Sequence, residues 1–434
     1  MNLDCAFRTQ NQLGSLKFKN RTPPHPSILS YKNSACYSLY CTYIQCKIPP
    51  LFVTTPKAPM ASIFSFFTGS GFLDLGFEKA GFQTAAVNEF HAPFLNAYKH
   101  SRNVMSLPEP QFGHYHCSIE EFIGDGGHVV SLMEQVAQLQ SKGEMVGFIG
   151  GPPCPDFSVG GKNKGHEGEN GRLSRTYIDA ITQHQPDFFL FENVKGLWRT
   201  KRHREFYEEL KSDLRDAGYA LTDHLVNCIQ YGAPQDRDRI LLFGIKKEHV
   251  TSHLDASSLE AMTIPDELFA WESHMLFGRD EALKTPTWPT TESFNERAAT
   301  AMPEGVIDSL TIEYWFEKND VLNHPNTDDF FTPKSDKFKL VDEGDTSKKS
   351  FKRLHRWRYS PTAAYGNNEV HLHPYKARRL SAAEALAIQS LPKEFELPAA
   401  MTLSNKFKTI GNGVPYVAAL GIAKTIQDFV HKIQ

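Results

Sequence analysis

The sequence has no run of about 18 uninterrupted apolar residues, which argues against a membrane-spanning helix. Glycine and proline, 29 and 26 of 434 residues, are too sparse for a collagen-like or low-complexity chain. Neither sign of charge dominates: 47 Lys/Arg against 50 Asp/Glu leave a net −3, so the chain does not coat nucleic acid by bulk charge. A basic surface would have to be local. After residue 59 cysteine is scarce, limited to Cys117, Cys154 and Cys228. No secretory signal is visible, because the apolar residues within 37–53 are broken by Thr, Gln, Lys and Pro. A cytoplasmic, reducing location is therefore expected, with those three cysteines as free thiols. What is present, 40% hydrophobic and 22% charged, is an ordinary globular composition, long enough for two or three domains of roughly 100–200 residues.

Residues 1–59 stand apart. They hold seven Lys/Arg and one acid, Asp4, a surplus of +6 that leaves −9 for the remainder, together with Cys5, Cys36, Cys41 and Cys46. A transit peptide would show an amphipathic Arg-rich helix, which is missing. A zinc site would show paired short loops, which the Cys36-x4-Cys41-x4-Cys46 spacing lacks. The plainer reading is a disordered extension, or translated sequence upstream of a start at Met60, since a regular α/β pattern begins directly after it.

From Ile63 the chain reads Ile-Phe-Ser-Phe-Phe, then Thr68-Gly69-Ser70-Gly71, then Leu73, Leu75, Phe77 and Ala80 at helical spacing: strand, glycine turn, helix. A second apolar stretch, 85–87, ends at Asn88-Glu89, twenty residues after Gly69. An acid at that distance can accept hydrogen bonds from ribose hydroxyls, and the glycines let a ligand approach the backbone. The third glycine of the dinucleotide fingerprint is missing, which disfavours a pyrophosphate cofactor and an NAD-dependent oxidoreductase. A tight turn without a ligand is the bland alternative. Further strands are expected at 145–149, 187–191 and 240–245, and a long amphipathic helix at 415–433. Alternating elements of this kind imply an α/β fold with a doubly wound, mostly parallel sheet, whose ligands sit at the carboxyl ends of the strands.

Those strand ends carry polar groups. Gly150-Gly151-Pro152-Pro153-Cys154-Pro155 follows one strand and holds a cysteine between prolines; Glu192-Asn193-Val194 follows the next; Gln235-Asp236-Arg237-Asp238-Arg239 precedes another. Taken singly, each has a structural reading: a buried thiol, a solvated acid, arginines paired with their Asp neighbours.

Together they resemble the DNA (cytosine-5)-methyltransferases of the bacterial restriction–modification type, from about residue 62 to residue 424. Phe67-Thr68-Gly69-Ser70-Gly71 resembles the first cofactor motif, Pro153-Cys154 the nucleophile motif, Glu192-Asn193-Val194 the acid motif and Gln235-x-Arg237-x-Arg239 the arginine motif. Arg379-Leu380-Ser381 with Glu384, then 389–392, and Gly411-Asn412-Gly413-Val414-Pro415 follow in the family's order. The resemblance implies an S-adenosylmethionine-dependent methyltransferase fold with a smaller irregular target-recognition domain, and base flipping of the target. It implies that Cys154 adds to carbon 6 of cytosine, that Glu192 binds the ring nitrogen and amine, and that Arg239, supported by Arg237, binds the carbonyl oxygen. The implied cofactor residues are Phe67, Gly69, Gly71, Glu89, Ser118, Ile119, Pro152, Asn412 and Val414, and no metal is implied.

Three departures from the family pattern stand out: Pro155 where Gln is usual, Phe72 where a second glycine is usual, and Ser118 where Asp is common. The expected layout is an extension over 1–59, a catalytic and cofactor domain over 60–247, a target-recognition domain over 248–376 and a return segment over 377–434. Ser158, Lys162, Arg353, Arg356 and Arg358 are the expected DNA contacts, and the basic runs 195–204 and 348–358 the expected cleft walls. The implied partner is double-stranded DNA, with a cognate restriction endonuclease acting separately and the enzyme itself a monomer. The alternatives are a tRNA cytosine methyltransferase of the same fold, or a catalytically silent DNA-binding relative.

Overall fold

The structure is a computed structural model that describes residues 61–153 and 169–434, apart from 286, 298–299, 349, 364 and 366–368. Residues 1–59 and the expected site residues Cys154, Ser158 and Lys162 lie outside the described residues, as does Pro155.

Nine strands are described: β1 (Ala61–Phe66), β2 (Gln83–Asn88), β3 (His114–Tyr115), β4 (Met145–Gly150), β5 (Phe188–Val194), β6 (Tyr219–Asn227), β7 (Gln235–Asp236), β8 (Asp238–Lys246) and β9 (Ser360–Pro361). Seven form one sheet in the order β3-β2-β1-β4-β5-β8-β6, and β7 pairs with β9 separately. β1 pairs in parallel with β2 and β4, β2 with β3 and β4 with β5, whereas β8 is antiparallel to β5 and β6. The reversal has a local cause. Between β6 and β8 the chain holds only ten residues, including the turn Cys228–Tyr231 and β7, too few for the crossover of a dozen or more residues that parallel pairing needs.

Side chains of β1 alternate between two hydrophobic clusters, Ile63 entering one and Phe64 and Phe66 the other. Helices Phe72–Ala80 and Tyr416–Ile433 cover the first face through Leu73, Phe77, Ala418, Ile422 and Phe429. Helices Val129–Gln140, Glu169–His184 and Lys201–Asp216 cover the second through Leu132, Ile178, Phe206 and Leu210. Burial on both faces explains why β1 and β4 are buried along their whole length instead of reading as a polar–apolar alternation. Helices Phe72–Ala80 and Tyr416–Ile433 approach so closely that a Cβ on Gly76 would lie 2.5 Å from the Ala419 backbone.

Over 248–376 the alternation gives way to short helices and β9, as its composition leads one to expect. Trp315, Phe316 and Leu354 of this stretch share a cluster with Leu386, Phe395 and Phe407 of the following segment and with Phe72 and Leu75. Phe72 is therefore turned away from the glycine loop: its ring packs edge-on to Phe395 and closes against Gly413, where a Cβ would meet it at 2.1 Å.

Two boundaries differ from the sequence expectation. β5 runs on to Val194, so Glu192 lies within the strand, and β8 starts at Asp238, so Arg239 does too.

Candidate active site

The sheet order reverses between β1 and β4, one of which leads outward to β2 and the other to β5. Their carboxyl ends define the crevice where ligands of doubly wound sheets bind. At the end of β1, Phe67, Gly69 and Gly71 all have positive φ, at 56°, 58° and 79°. Gly71 is required twice over, since a Cβ there would also lie 2.5 Å from the Tyr98 ring. At Gly69 a Cβ would meet only Thr409 Oγ1, at 3.9 Å, so the backbone is open to a ligand. The Thr68 and Ser65 hydroxyls donate to Asp74, a fully buried carboxyl whose pKa is pushed up to about 6 by burial. Ser70 bonds Thr409 across 2.7 Å, joining the loop to helix Leu403–Asn412.

Glu89, at the end of β2, is buried, and each of its oxygens takes one backbone N–H: Gly69 at 2.8 Å and His91 at 2.7 Å. Burial raises its pKa, opposed by those two bonds. A carboxylate has about four acceptor sites, so two remain for hydroxyl donors. Open glycine backbone beside a carboxylate acceptor fits an uncharged nucleoside with its ribose hydroxyls. Phe90, not singled out from sequence, is 72% exposed directly after Glu89 and offers a flat apolar face. The available signal was an aromatic residue following an acid at a strand end.

The other expected cofactor residues differ in exposure. Ser118 caps the turn Ile119–Phe122, its hydroxyl accepting from Glu120 N at 3.4 Å and donating to the Glu120 carboxylate at 3.2 Å. Ile119 is 2% exposed, its side chain in a cluster with Phe66 and Phe122. Val414 is buried in the cluster with Leu73 and Ala418, Pro152 is buried, and Asn412 is exposed.

At the end of β4, Gly150 is in register with Phe191 of β5, which brings Gly151 beside Glu192. A Cβ on Gly151 would lie 2.6 Å from Glu192 Oε2, so a side chain there would push the carboxylate aside where the chain leads to Cys154. Arg239 pairs with Val194 in the antiparallel ladder and is thus a diagonal neighbour of Glu192 on the same face. Arg239 Nε stands 2.5 Å from Glu192 Oε1, and Arg239 Nη1 donates to the Asp238 carbonyl at 2.8 Å.

The three polar residues of Gln235-x-Arg237-x-Arg239 do different things. Arg237 is 1% exposed and donates to the carbonyls of Gly411 (2.9 Å), Asn412 (3.3 Å) and Ala363 (3.2 Å). Gln235 accepts from Ala363 N at 3.0 Å and donates to Gln389 at 3.2 Å. Arg237 and Gln235 therefore fasten the return segment, and Arg239 alone faces the acid.

Two expected DNA contacts are corrected. Arg353 is fully buried and donates to the carbonyls of Val341 (2.7 Å), Lys376 (3.0 Å), Phe338 and His373. Arg356 is buried against Glu343 in a forked pair at 2.9 and 2.8 Å. Both are structural cations, which leaves Lys348, Lys352 and Arg358 as the accessible cations of the run 348–358 among the described residues. Arg358 is half-buried beside Tyr359. Along 195–204, by contrast, Lys195, Arg199, Lys201, Arg202 and Arg204 are exposed, as is Trp198 at 37%.

A doubly wound sheet carrying a paired acid and arginine at its carboxyl edge defines an α/β enzyme of Rossmann-like type. Its family follows from comparison: a model of the family described as C-5 cytosine-specific DNA methylase matches residues 61–428, and the chain belongs to that family. It is 55% identical over 370 residues to the type II methyltransferase M.NmeDI of Neisseria meningitidis serogroup C, covering 85% of this chain and 84% of that one. It is 26% identical to the type II methyltransferase M.FnuDI of Fusobacterium nucleatum, over 84% and 94% of the two chains. Among solved structures, an Escherichia coli prophage protein described as a putative DNA modification methyltransferase aligns over 86% of this chain and 99% of that one, at 19% identity and a TM-score of 0.53. The Schizosaccharomyces pombe Dnmt2 methyltransferase aligns over the same shares at 11% identity and the same TM-score. These two show the fold. The family makes the chain a DNA (cytosine-5) methyltransferase that uses S-adenosylmethionine, with DNA as its substrate. Among the described residues, no helix is long and apolar enough to cross a membrane.

Proposed function

We propose that this chain is the modification enzyme of a type II restriction–modification system and methylates a flipped cytosine in a specific duplex sequence through a covalent adduct on Cys154. The reading is supported by one observation above all: the chain leading to Cys154 passes directly beside Glu192, with Gly151 against the carboxylate and Arg239 on its other side. Three peptide units separate Gly151 from Cys154, which keeps their Cα atoms within about 11 Å whatever path the loop takes.

In this reading Phe67, Gly69, Gly71 and Glu89 hold the cofactor, Glu89 accepting the ribose hydroxyls, with the Pro152, Asn412 and Val414 backbone and the Ser118 hydroxyl around it. S-adenosylmethionine supplies the methyl group as an electrophilic sulfonium. The Cys154 thiolate adds to carbon 6 of cytosine and makes carbon 5 nucleophilic. Glu192 receives the ring nitrogen and the exocyclic amine, and it stabilises the charge that develops as the sulfur–carbon bond forms. Arg239 donates to the carbonyl oxygen on carbon 2. After carbon 5 gains the methyl group, loss of its proton expels the thiolate and restores the ring double bond. Ser158, Lys162, Arg358 and the exposed cations of 195–204 contact the DNA. The layout is a catalytic domain over 60–247 and 377–434 with a recognition domain over 248–376. The enzyme acts as a cytoplasmic monomer beside a separate endonuclease.

The test is transfer of tritiated methyl from S-adenosylmethionine to duplex DNA and to tRNA, with Cys154→Ser in parallel. Incorporation into DNA that disappears in Cys154→Ser is expected, as is a covalent adduct on Cys154 with duplexes carrying 5-fluorocytosine at the target. Undiminished transfer by Cys154→Ser overturns the mechanism, and incorporation into tRNA alone overturns the substrate.

A further inference from the structure

Asp238 stands between the two arginines of the arginine motif and opens β8. Its carboxylate takes donors from three distant parts of the chain: Lys195 Nζ at 3.0 Å, Asn227 Nδ2 at 2.9 Å and Arg279 Nη2 at 2.6 Å. Lys195 directly follows β5, Asn227 ends β6, and Arg279 begins helix Arg279–Lys284 within the 248–376 stretch. Burial by itself would raise the Asp238 pKa, but the bonds from Lys195, Asn227 and Arg279 hold it below the ordinary carboxylate value. The charge is therefore present at neutral pH.

The main chain of Asp238 has a second task. Its carbonyl oxygen accepts Arg239 Nη1 at 2.8 Å, while Nε of the same guanidinium faces Glu192 at 2.5 Å. Arg239 is thus seated from two sides, and Asp238 supplies one of them. The helix that carries Arg279 is itself fixed. The N–H groups of Leu276 and Phe277 both donate to the Gln230 carbonyl, at 2.7 and 3.1 Å, and Ala282 packs with Ile229, Trp288 and Leu310. Trp288 and Leu310 tie this helix to the rest of the 248–376 stretch while Gln230 and Ile229 tie it to the catalytic part, so a shift of that stretch on DNA would reach Asp238 and the Arg239 seat through Arg279. Charge also favours this role: Lys195, Arg237, Arg239 and Arg279 converge on one sheet edge, and Asp238 is the carboxylate that Lys195 and Arg279 share.

We propose that Asp238 is a positioning residue: it holds the carbonyl that seats Arg239 against Glu192, and through Arg279 it links that seat to the stretch that reads the target. The proposal rests on Arg239 and Glu192 being the groups that contact the base.

The experiment uses the full chain, S-adenosylmethionine and a duplex whose target sequence has been established by bisulfite sequencing. Asp238→Asn, Arg279→Ala, Arg279→Lys and Arg239→Lys are compared for kcat, KM, duplex affinity by anisotropy, and melting temperature. Asp238→Asn is expected to lower kcat by about tenfold or more, since small misplacements of a catalytic group are costly. Duplex affinity should stay within about threefold, so that the loss lies in kcat and not in binding. Arg279→Ala should lower kcat and narrow the ratio of kcat/KM between the target and a single-mismatch duplex, and Arg279→Lys should restore at least half of both. A wild-type kcat in Asp238→Asn, with Arg239→Lys impaired, overturns the proposal alone. Arg279→Lys no better than Arg279→Ala, or losses accounted for by duplex affinity or melting temperature, overturns it as well. A wild-type kcat in Arg239→Lys overturns the site reading and the proposal together.

Discussion

Arg239 and Glu192 face each other at 2.5 Å across two strands that run in opposite directions, both side chains about nine-tenths buried. Each is the other's counter-charge, and breaking such a pair from one side leaves an uncompensated charge out of water. Arg239→Met is expected to destabilise the protein by about 3 kcal/mol, and the double variant with Glu192→Gln by less than the sum of the two singles. Urea unfolding of the four proteins in the cycle measures the coupling. Strict additivity would mean that the pair is not held in solution. Glu192→Gln alone should lower kcat by about 10² or more, the usual worth of a positioned acid or base.

Gly151→Ala separates catalysis from folding. The added methyl would lie 2.6 Å from Glu192 Oε2 and has to displace the carboxylate. A fall in kcat of about tenfold or more is expected, with melting temperature little changed. Gly413→Ala is the contrasting case. Its methyl meets the Phe72 ring at 2.1 Å, within an apolar contact, and should cost about 1–3 kcal/mol of stability, relieved by Phe72→Leu.

The two basic runs are distinguished by salt. Arg356→Ala should unfold at lower temperature, because Glu343 is left buried without its fork, yet keep the slope of log affinity against log salt. Arg199→Ala and Lys201→Ala should do the reverse, each reducing that slope by about 0.9 for a lost phosphate contact. Anisotropy titrations of a target duplex at several salt concentrations read both.

Asp74 gives a pH signature. Its folded pKa of about 6 exceeds its unbound value of 3.8 because of burial, so between those values the folded protein keeps a proton that the unfolded chain has released. The stabilisation by the protonated group is complete below pH 4 and is lost as pH rises through 6, on the order of 3 kcal/mol in all. Asp74→Asn, which resembles the protonated form, should melt higher than wild type at pH 8 and level with it at pH 4. An equal difference at both pH values would contradict this account.

Much of this was legible from periodicity and spacing. The glycine turn after β1, the acid closing β2 and the C-terminal helix fall where hydrophobic pattern and turn residues place them. The antiparallel course of β8 was also readable in principle, because ten residues between Asn227 and Asp238 leave no room for a crossover helix. The fate of the basic run 348–358 was not. Nothing in that run announces that Glu343, thirteen residues before Arg356, will be folded against it, or that four carbonyls will enclose Arg353. Six cations within eleven residues look alike until tertiary structure decides which are desolvated. The same holds for the arginine motif, in which two of three polar side chains serve the return segment.

The hydrogen bond between Ser70 and Thr409 joins residues 339 apart in sequence. During synthesis the glycine loop is made early, while the helix that braces it emerges near the end. At about 5–20 residues per second, that interval is on the order of 20–70 s for each chain. A nascent chain in that interval carries its cofactor loop without its brace, and the acid–arginine edge lacks the Gly411 and Asn412 carbonyls that hold Arg237. A chain cut short before Thr409 lacks both supports and is expected to lose methyl transfer.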